Sequence, residues 1–206
     1  MHLPATDSDL SIRITYNNLG AIYREQGYFD KALLYFNQAL EIDLKVPSPN
    51  EEDIAFIYNQ IGITYDATQR YSEALEMFGK SLELRLKALP KNHPLLAISY
   101  SNISGILCAQ RSYEKAIEYL NIAHEIQMNS LPPNHPDFAE IYRNWAFVLY
   151  KQSKLKEALQ YRKKEYEVCS KNWPSDHPKV EASLSWIIGI EEELSKAKEI
   201  KALEFV

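Results

Sequence analysis

Apolar residues along this chain recur at the spacing of one helical face, in paired segments. Tyr16, Leu19, Gly20 and Tyr23 fall at i, i+3, i+4 and i+7, and Ala32, Phe36, Ala39 and Leu40 form a second stripe after a short break. The pair then repeats. Tyr16, Tyr58, Tyr100 and Tyr142 stand 42 residues apart, as do Ala32, Ala74, Ala116 and Ala158, and Leu19, Ile61, Ile103 and Trp145. So many positions in one phase predict an array of two-helix units. First helices are expected at about 9–26, 52–68, 94–110 and 136–152, and second helices at about 29–46, 71–88, 113–130 and 155–172. A last helix is expected from about 178 to 200, and the units span about 9–50, 51–92, 93–134 and 135–176. The whole chain, 1–206, reads as one domain.

The punctuation between helices repeats too. Pro-Lys-Asn-His-Pro at 90–94, Pro-Pro-Asn-His-Pro at 132–136 and Pro-Ser-Asp-His-Pro at 174–178 occupy equivalent linkers. Pro94, Pro136 and Pro178 suit the first position of a helix, where a missing N–H costs nothing. Each pushes the histidine before it toward the extended backbone of an N-cap. Within a unit the helices are joined at Gly27-Tyr28, Gln69-Arg70, Arg111-Ser112 and Ser153-Lys154, and Gly27 fits the left-handed position after a helix end. The alanine column at 32, 74, 116 and 158 permits close helix–helix approach.

Composition narrows the class. Six glycines are too few for a sheet protein full of tight turns, and the prolines gather at linkers. With 46% hydrophobic and 25% charged residues the chain is of ordinary globular type, and a net charge of -5 gives no electrostatic reason to expect nucleic acid. No basic, then apolar, leader opens the sequence, and no apolar run reaches the ~18 residues of a membrane span. Two cysteines, Cys108 and Cys169, are too few for a disulfide framework. A cytoplasmic location is expected.

The stretch Tyr16-Asn-Asn-Leu-Gly-Ala-Ile-Tyr-Arg-Glu-Gln-Gly-Tyr-Phe-Asp-Lys-Ala-Leu closely resembles the tetratricopeptide repeat. The 42-residue period and the linker Leu131-Pro-Pro-Asn-His-Pro-Asp-Phe-Ala are similar to the kinesin light chain variety. The resemblance runs from about 8 to 190. It implies an all-α fold, a right-handed α-solenoid whose first helices line a concave, peptide-binding groove. Unit 4 departs from the pattern, with Trp145-Ala146 in place of Leu19-Gly20 and Glu165-Tyr166 in place of Ala39-Leu40, so its internal packing is the least determined. In the last helix Leu184 replaces the tyrosine, and Glu191, Glu192 and Glu193 stand where apolar residues are wanted. That helix is expected to cap the array, with Trp186, Ile187 and Ile188 buried against unit 4. Leu3-Pro-Ala-Thr-Asp-Ser-Asp-Leu resembles a slipped linker copy, as in an excerpt from a longer array; an ordinary N-terminus with a capping Asp or Ser is the alternative.

Candidate chemistry is sparse. His93, His135 and His177 recur every 42 residues, but equivalent positions in stacked helices lie at least ~8–10 Å apart, whereas zinc needs every ligand atom within ~2.3 Å of one point. Helix starts explain them better. His124 reads as a packed residue. Cys108 falls on a groove-facing position with no histidine expected beside it, the glycines form no phosphate loop, and the carboxylates form no recurring inward pair. No enzyme activity, cofactor, metal or small-molecule substrate is expected. Lys151, Lys154, Lys156, Arg162, Lys163 and Lys164 read as a solvated basic face.

A polar column is the clearest functional signal. Asn17-Asn18, Asn59-Gln60, Ser101-Asn102 and Arg143-Asn144 recur in mid-helix, where asparagine is a middling helix former. By the resemblance, such amides face the groove and bond the backbone of an extended peptide; otherwise they bond neighbouring helices. Arg24, Ile63, Asp66, Phe147, Tyr150 and Lys151 flank the column as candidates for specificity. The expected function is a protein-interaction scaffold or adaptor with a protein or peptide partner. The alternatives are a self-associating structural module and an accessory array of a larger enzyme or signalling protein.

Overall fold

The computed structural model describes residues 7–45 and 49–203. Among them the chain forms nine helices and no strand: α1 (Asp7–Glu25), α2 (Phe29–Lys45), α3 (Glu51–Ala67), α4 (Tyr71–Ala88), α5 (Pro94–Ala109), α6 (Tyr113–Ser130), α7 (Asp137–Lys151), α8 (Leu155–Asn172) and α9 (Pro178–Leu203). The helices pair as α1–α2, α3–α4, α5–α6 and α7–α8, each pair packs on the next, and α9 packs on α8. This is an all-α solenoid with a terminal helix. The linker-like stretch at 3–6 lies outside the described residues.

The turn inside every unit is the same. Gly27, Gln69, Arg111 and Ser153 adopt left-handed φ values of 78°, 59°, 61° and 60°. The following N–H reaches back five residues in each case: Tyr28 to the Tyr23 carbonyl at 2.8 Å, Arg70 to Tyr65 at 2.9 Å, Ser112 to Leu107 at 2.8 Å and Lys154 to Leu149 at 2.9 Å. These bonds satisfy carbonyls a helix end would otherwise leave open. At the other end of the linkers, the Nδ1 atoms of His93, His135 and His177 accept from the N–H groups of Leu95, Asp137 and Lys179 at 3.2, 3.3 and 3.2 Å. Asn50 does the same for Glu52 with its side-chain oxygen at 2.9 Å. Pro94 and Pro178 begin their helices. Regular helix in α7 starts one residue after Pro136, whose own backbone is already helical.

Within a unit, contact is set by a small residue beneath a large one. A Cβ added to Gly20 would sit 2.7 Å from the Phe36 ring, and one added to Gly62 2.7 Å from Phe78. The same columns hold Ser104 with Leu120, and Ala146 with Arg162. Unit 4 is thereby explained. Arg162 and Glu165 form a buried ion pair at 2.7 Å, and the Trp186 ring lies 4.5 Å from the Arg162 guanidinium carbon. Burial pushes the Glu165 carboxyl up from its usual range, against the pull of Arg162. Arg162 thus belongs to the interior rather than to a solvated basic face.

Between units, a second stripe on each first helix is covered by the preceding unit. It comprises Ile54, Ile57, Ile61 and Thr64 in α3; Leu96, Ser99, Ile103 and Ile106 in α5; Phe138, Ile141, Trp145 and Val148 in α7; and Val180, Ser183, Ile187 and Ile190 in α9. The spacing 3, 4, 3 is that of a helix–helix seam. It corrects the expectation for the cap: Ile187 is buried, but Trp186 and Ile188 are exposed. Consecutive residues lie 100° apart on a helix, so three in a row cannot share one seam. Polar bridges reinforce the junctions. Arg13 contacts Asp43 at 3.2 Å and Asp53 at 2.9 Å, and Arg85 donates to the Leu95 carbonyl at 3.2 Å and to Ser99 at 2.7 Å.

Two stability measurements check this packing. Gly62→Ala should lower stability by about 1–3 kcal/mol through overpacking against Phe78. Gly105→Ala, with nothing within 4 Å of the new methyl, should raise it by about 0.5–1 kcal/mol. Equal effects in chemical denaturation would contradict the small-under-large arrangement. Truncation after His177 should uncover the apolar surface beneath α9, lowering the melting temperature and increasing binding of an apolar dye; an unchanged melt would remove α9 from the cap role.

Candidate peptide-binding surface

The first helices lie side by side, α1 against α3, α3 against α5 and α5 against α7. One stripe of each is left open once the unit's own second helix and the preceding unit have covered the rest. In α3 the open stripe runs through Phe56, Gln60, Ile63 and Ala67; in α5 through Ile98, Asn102, Gly105 and Ala109; in α7 through Glu140, Asn144, Phe147 and Lys151. Because the units repeat every 42 residues, these stripes align into columns that cross the helices.

The paired polar positions separate on this surface. Asn18 is exposed, and Gln60, Asn102 and Asn144 are half-buried on the open stripe. Their neighbours one residue earlier turn inward toward the seam. Asn59 is 7% exposed, Ser101 is buried, and Asn17 is half-buried with a side-chain oxygen lacking a partner. Only in unit 4 does the earlier position open outward, where Arg143 is exposed and stands 3.6 Å from Glu140. The amide of Asn102 donates to the Asn59 oxygen at 2.9 Å, linking α5 to α3. Asn59 and Asn102 are thus joined helix to helix. Asn18, Gln60 and Asn144 retain both amide functions, and a carboxamide that donates and accepts can match a peptide backbone of any sequence.

The flanking positions differ in availability. Arg24 is half-buried, with one terminal nitrogen unpartnered and its guanidinium carbon 5.8 Å from the Phe36 ring centre, and burial lowers its pKa. Ile63 packs its side chain on the core. Asp66 is open to solvent. Phe147 is exposed, with the Lys151 ammonium 5.2 Å from its ring centre. The Tyr150 hydroxyl donates to Glu193 of α9 at 2.7 Å, and its ring meets Trp186 edge-on at 5.7 Å. Toward the start of α7, residues of α7, α8 and α9 line a recess of about 440 Å³, among them Arg143, Arg162, Lys179 and Trp186.

Residues weighed for chemistry take structural places. Cys108 is buried rather than facing the open surface, and burial pushes both its thiol and that of Cys169 up, away from the reactive thiolate. His124 lies among Phe138, Tyr142 and Trp145 at ring separations of 5.9, 5.8 and 5.1 Å, and burial lowers its pKa. No cluster of metal-ligating side chains occurs among the described residues, and no helix among them is long and apolar enough to cross a membrane. One feature escaped the sequence reading: Ile14, Phe56 and Ile98, 42 residues apart, are exposed on the first helices. Their common phase was legible, but apolar residues at helical spacing look like core.

The division between inward and outward amides can be measured. Asn59→Ala should lower stability by about 0.5–1.5 kcal/mol, the net worth of the lost Asn102 bond. Asn18→Ala, on the open stripe, should change it by less than about 0.5 kcal/mol. Equal destabilisation by the two would place both in the seam.

Comparison with known proteins agrees with this architecture. The family model described as tetratricopeptide repeat matches residues 11–87 and 95–171. No curated protein matches the sequence. Among solved structures, the nearly identical TPR-like repeats of a candidate kinesin light chain from Podosopora anserina superpose with a TM-score of 0.73 at 20% identity, over 96% of this chain and 93% of that one. BtubC (BKLC) from P. vanneervenii gives 0.69 at 18% identity, over 90% and 78%. The Rap conjugation gene regulator of plasmid pLS20, in complex with the Phr* peptide, gives 0.71 at 18% identity, over 85% of this chain and 46% of that one. With both matched segments covering most of its length, the chain belongs to the tetratricopeptide repeat family.

Proposed function

We propose that this protein is a non-enzymatic interaction scaffold that holds an extended segment of a partner protein along the open surface of its first helices. The observation that carries the reading is the line of uncommitted amides, Asn18, Gln60 and Asn144, at one phase of the repeat. A peptide backbone offers alternating donors and acceptors, and each of these side chains provides both. The Rap regulator, whose fold is similar, was solved with a peptide, which supports a polypeptide ligand here as well. Arg24, Asp66, Arg143, Phe147 and Lys151 supply the charge and ring contacts that would distinguish one segment from another. Asn59, Ser101 and Asn17 position the surface from beneath, and Tyr150 ties it to α9.

A single amide–backbone hydrogen bond contributes only about 0.5–1.5 kcal/mol net, so individual substitutions should weaken binding modestly. Replacing Asn18, Gln60 and Asn144 together by alanine should weaken it at least about tenfold, the equivalent of ~1.4 kcal/mol, while the melting temperature is retained. Titration of wild-type and triple-variant protein with peptides selected on the wild type measures this. Unchanged affinity in a folded triple variant would move the binding site off the first-helix surface.

A further inference from the structure

The amide column does not run over a uniform surface. On one side of it lie Ile14, Phe56 and Ile98, exposed by 52, 47 and 43%. On the other lie Ala21, Ile63, Gly105 and Phe147, and none of these is charged. Isolated exposed apolar residues need no explanation, but these three recur at one phase on neighbouring helices and form a strip across them. The strip ends at unit 4, where Glu140 replaces the isoleucine and stands beside Arg143. An extended peptide sends successive side chains to opposite sides. With its backbone on the amides, such a segment would meet the exposed apolar side chains on one side and the uncharged positions Ala21, Ile63 and Gly105 on the other through the first three units.

Charge enters one turn further along the helices, where Arg24 and Asp66 share one phase of the repeat. Asp66 lies in the last turn of α3, one turn beyond Ile63. A helix C-terminus is the negative end of the backbone dipole, and α3 has no basic residue in that turn. Asp66 is exposed, yet partial desolvation by the neighbouring chain pushes its carboxyl up, and no counter-charge acts on it. Of its neighbours in the column, Cys108 is buried, the Tyr150 hydroxyl is bonded to Glu193, and Arg24 is half-buried with its guanidinium carbon 5.8 Å from the Phe36 ring centre. A carboxylate held where its own helix and its surroundings both disfavour the charge is suited to receive a cation from outside.

We propose that this surface selects an extended peptide segment in which apolar side chains bracket a basic one, the apolar groups lying on Ile14, Phe56 and Ile98 and the lysine or arginine pairing with Asp66. The inference rests on the peptide-binding reading above and adds the chemistry of the ligand. A charge-assisted hydrogen bond to the Asp66 carboxylate supplies the selectivity, and the apolar strip supplies contact area.

The test uses a random library of acetylated, amidated dodecapeptides passed over immobilised full-length protein, with the wild type, Asp66→Asn, Asp66→Lys and the Asn18/Gln60/Asn144 alanine triple variant compared. Circular dichroism confirms that each variant is folded. The wild type should enrich lysine or arginine flanked by leucine, isoleucine, valine or phenylalanine. The best such peptide should bind Asp66→Asn about tenfold more weakly, and Asp66→Lys should shift the preference toward aspartate and glutamate. Peptides retained by the wild type and lost by the triple variant, but without basic enrichment, would overturn the assignment to Asp66 and leave the peptide-binding surface standing. Peptides retained equally by the triple variant, or no retained peptides at all, would overturn both.

Discussion

Each first helix in this protein has to bury two faces, and its own second helix covers only one. The other is covered by the unit before it, through a seam such as Ile54, Ile57, Ile61 and Thr64 in α3. That requirement makes the units interdependent, as expected for a solenoid in which each repeat contacts only its neighbours. It also leaves a first helix inside the array with one narrow open stripe. The candidate binding surface is what remains after the packing is satisfied, and its positions recur in phase because every unit has the same length. At α1, which has no unit before it among the described residues, Ile12 and Ile22 of the corresponding seam stay exposed.

The inner contacts show how much variation the arrangement absorbs. In units 1 and 2 Phe36 packs over Gly20 and Phe78 over Gly62. Unit 4 substitutes a buried Arg162–Glu165 pair roofed by Trp186, exchanging apolar packing for an ion pair whose desolvation must be offset by close geometry. That exchange involves α9 as well. Trp186 helps enclose the pair, and Glu193 of the same helix holds Tyr150, so the terminal helix completes unit 4 on two sides.

Helices and linkers were legible in the sequence because they rest on local chemistry. Proline, histidine N-caps and the 3.6-residue period act within a few residues of one another, and most helix ends fall within a residue or two of the expected ones. What periodicity does not carry is direction. Asn59 and Gln60 are adjacent in sequence and equally polar, yet one turns into the seam and the other onto the open stripe. Ile14, Phe56 and Ile98 have the spacing of a core column and are exposed. Arg162 stands in a run of lysines and is buried, because it pairs with Glu165 beneath the Trp186 ring. These assignments depend on which helix lies across from each position, information held by the assembled array and not by the segment.

We propose that a polypeptide ligand lies on the first-helix amides. Nuclear magnetic resonance of the side-chain amide groups, followed while a peptide selected on the wild type is titrated in, tests it most directly. Asn18, Gln60 and Asn144 should shift in proportion to bound peptide. Asn37 and Asn172, on second helices and bonded to the Leu33 and Val168 carbonyls, should remain in place. Shifts confined to Asn37 or Asn172, with the first-helix amides unmoved, would contradict it.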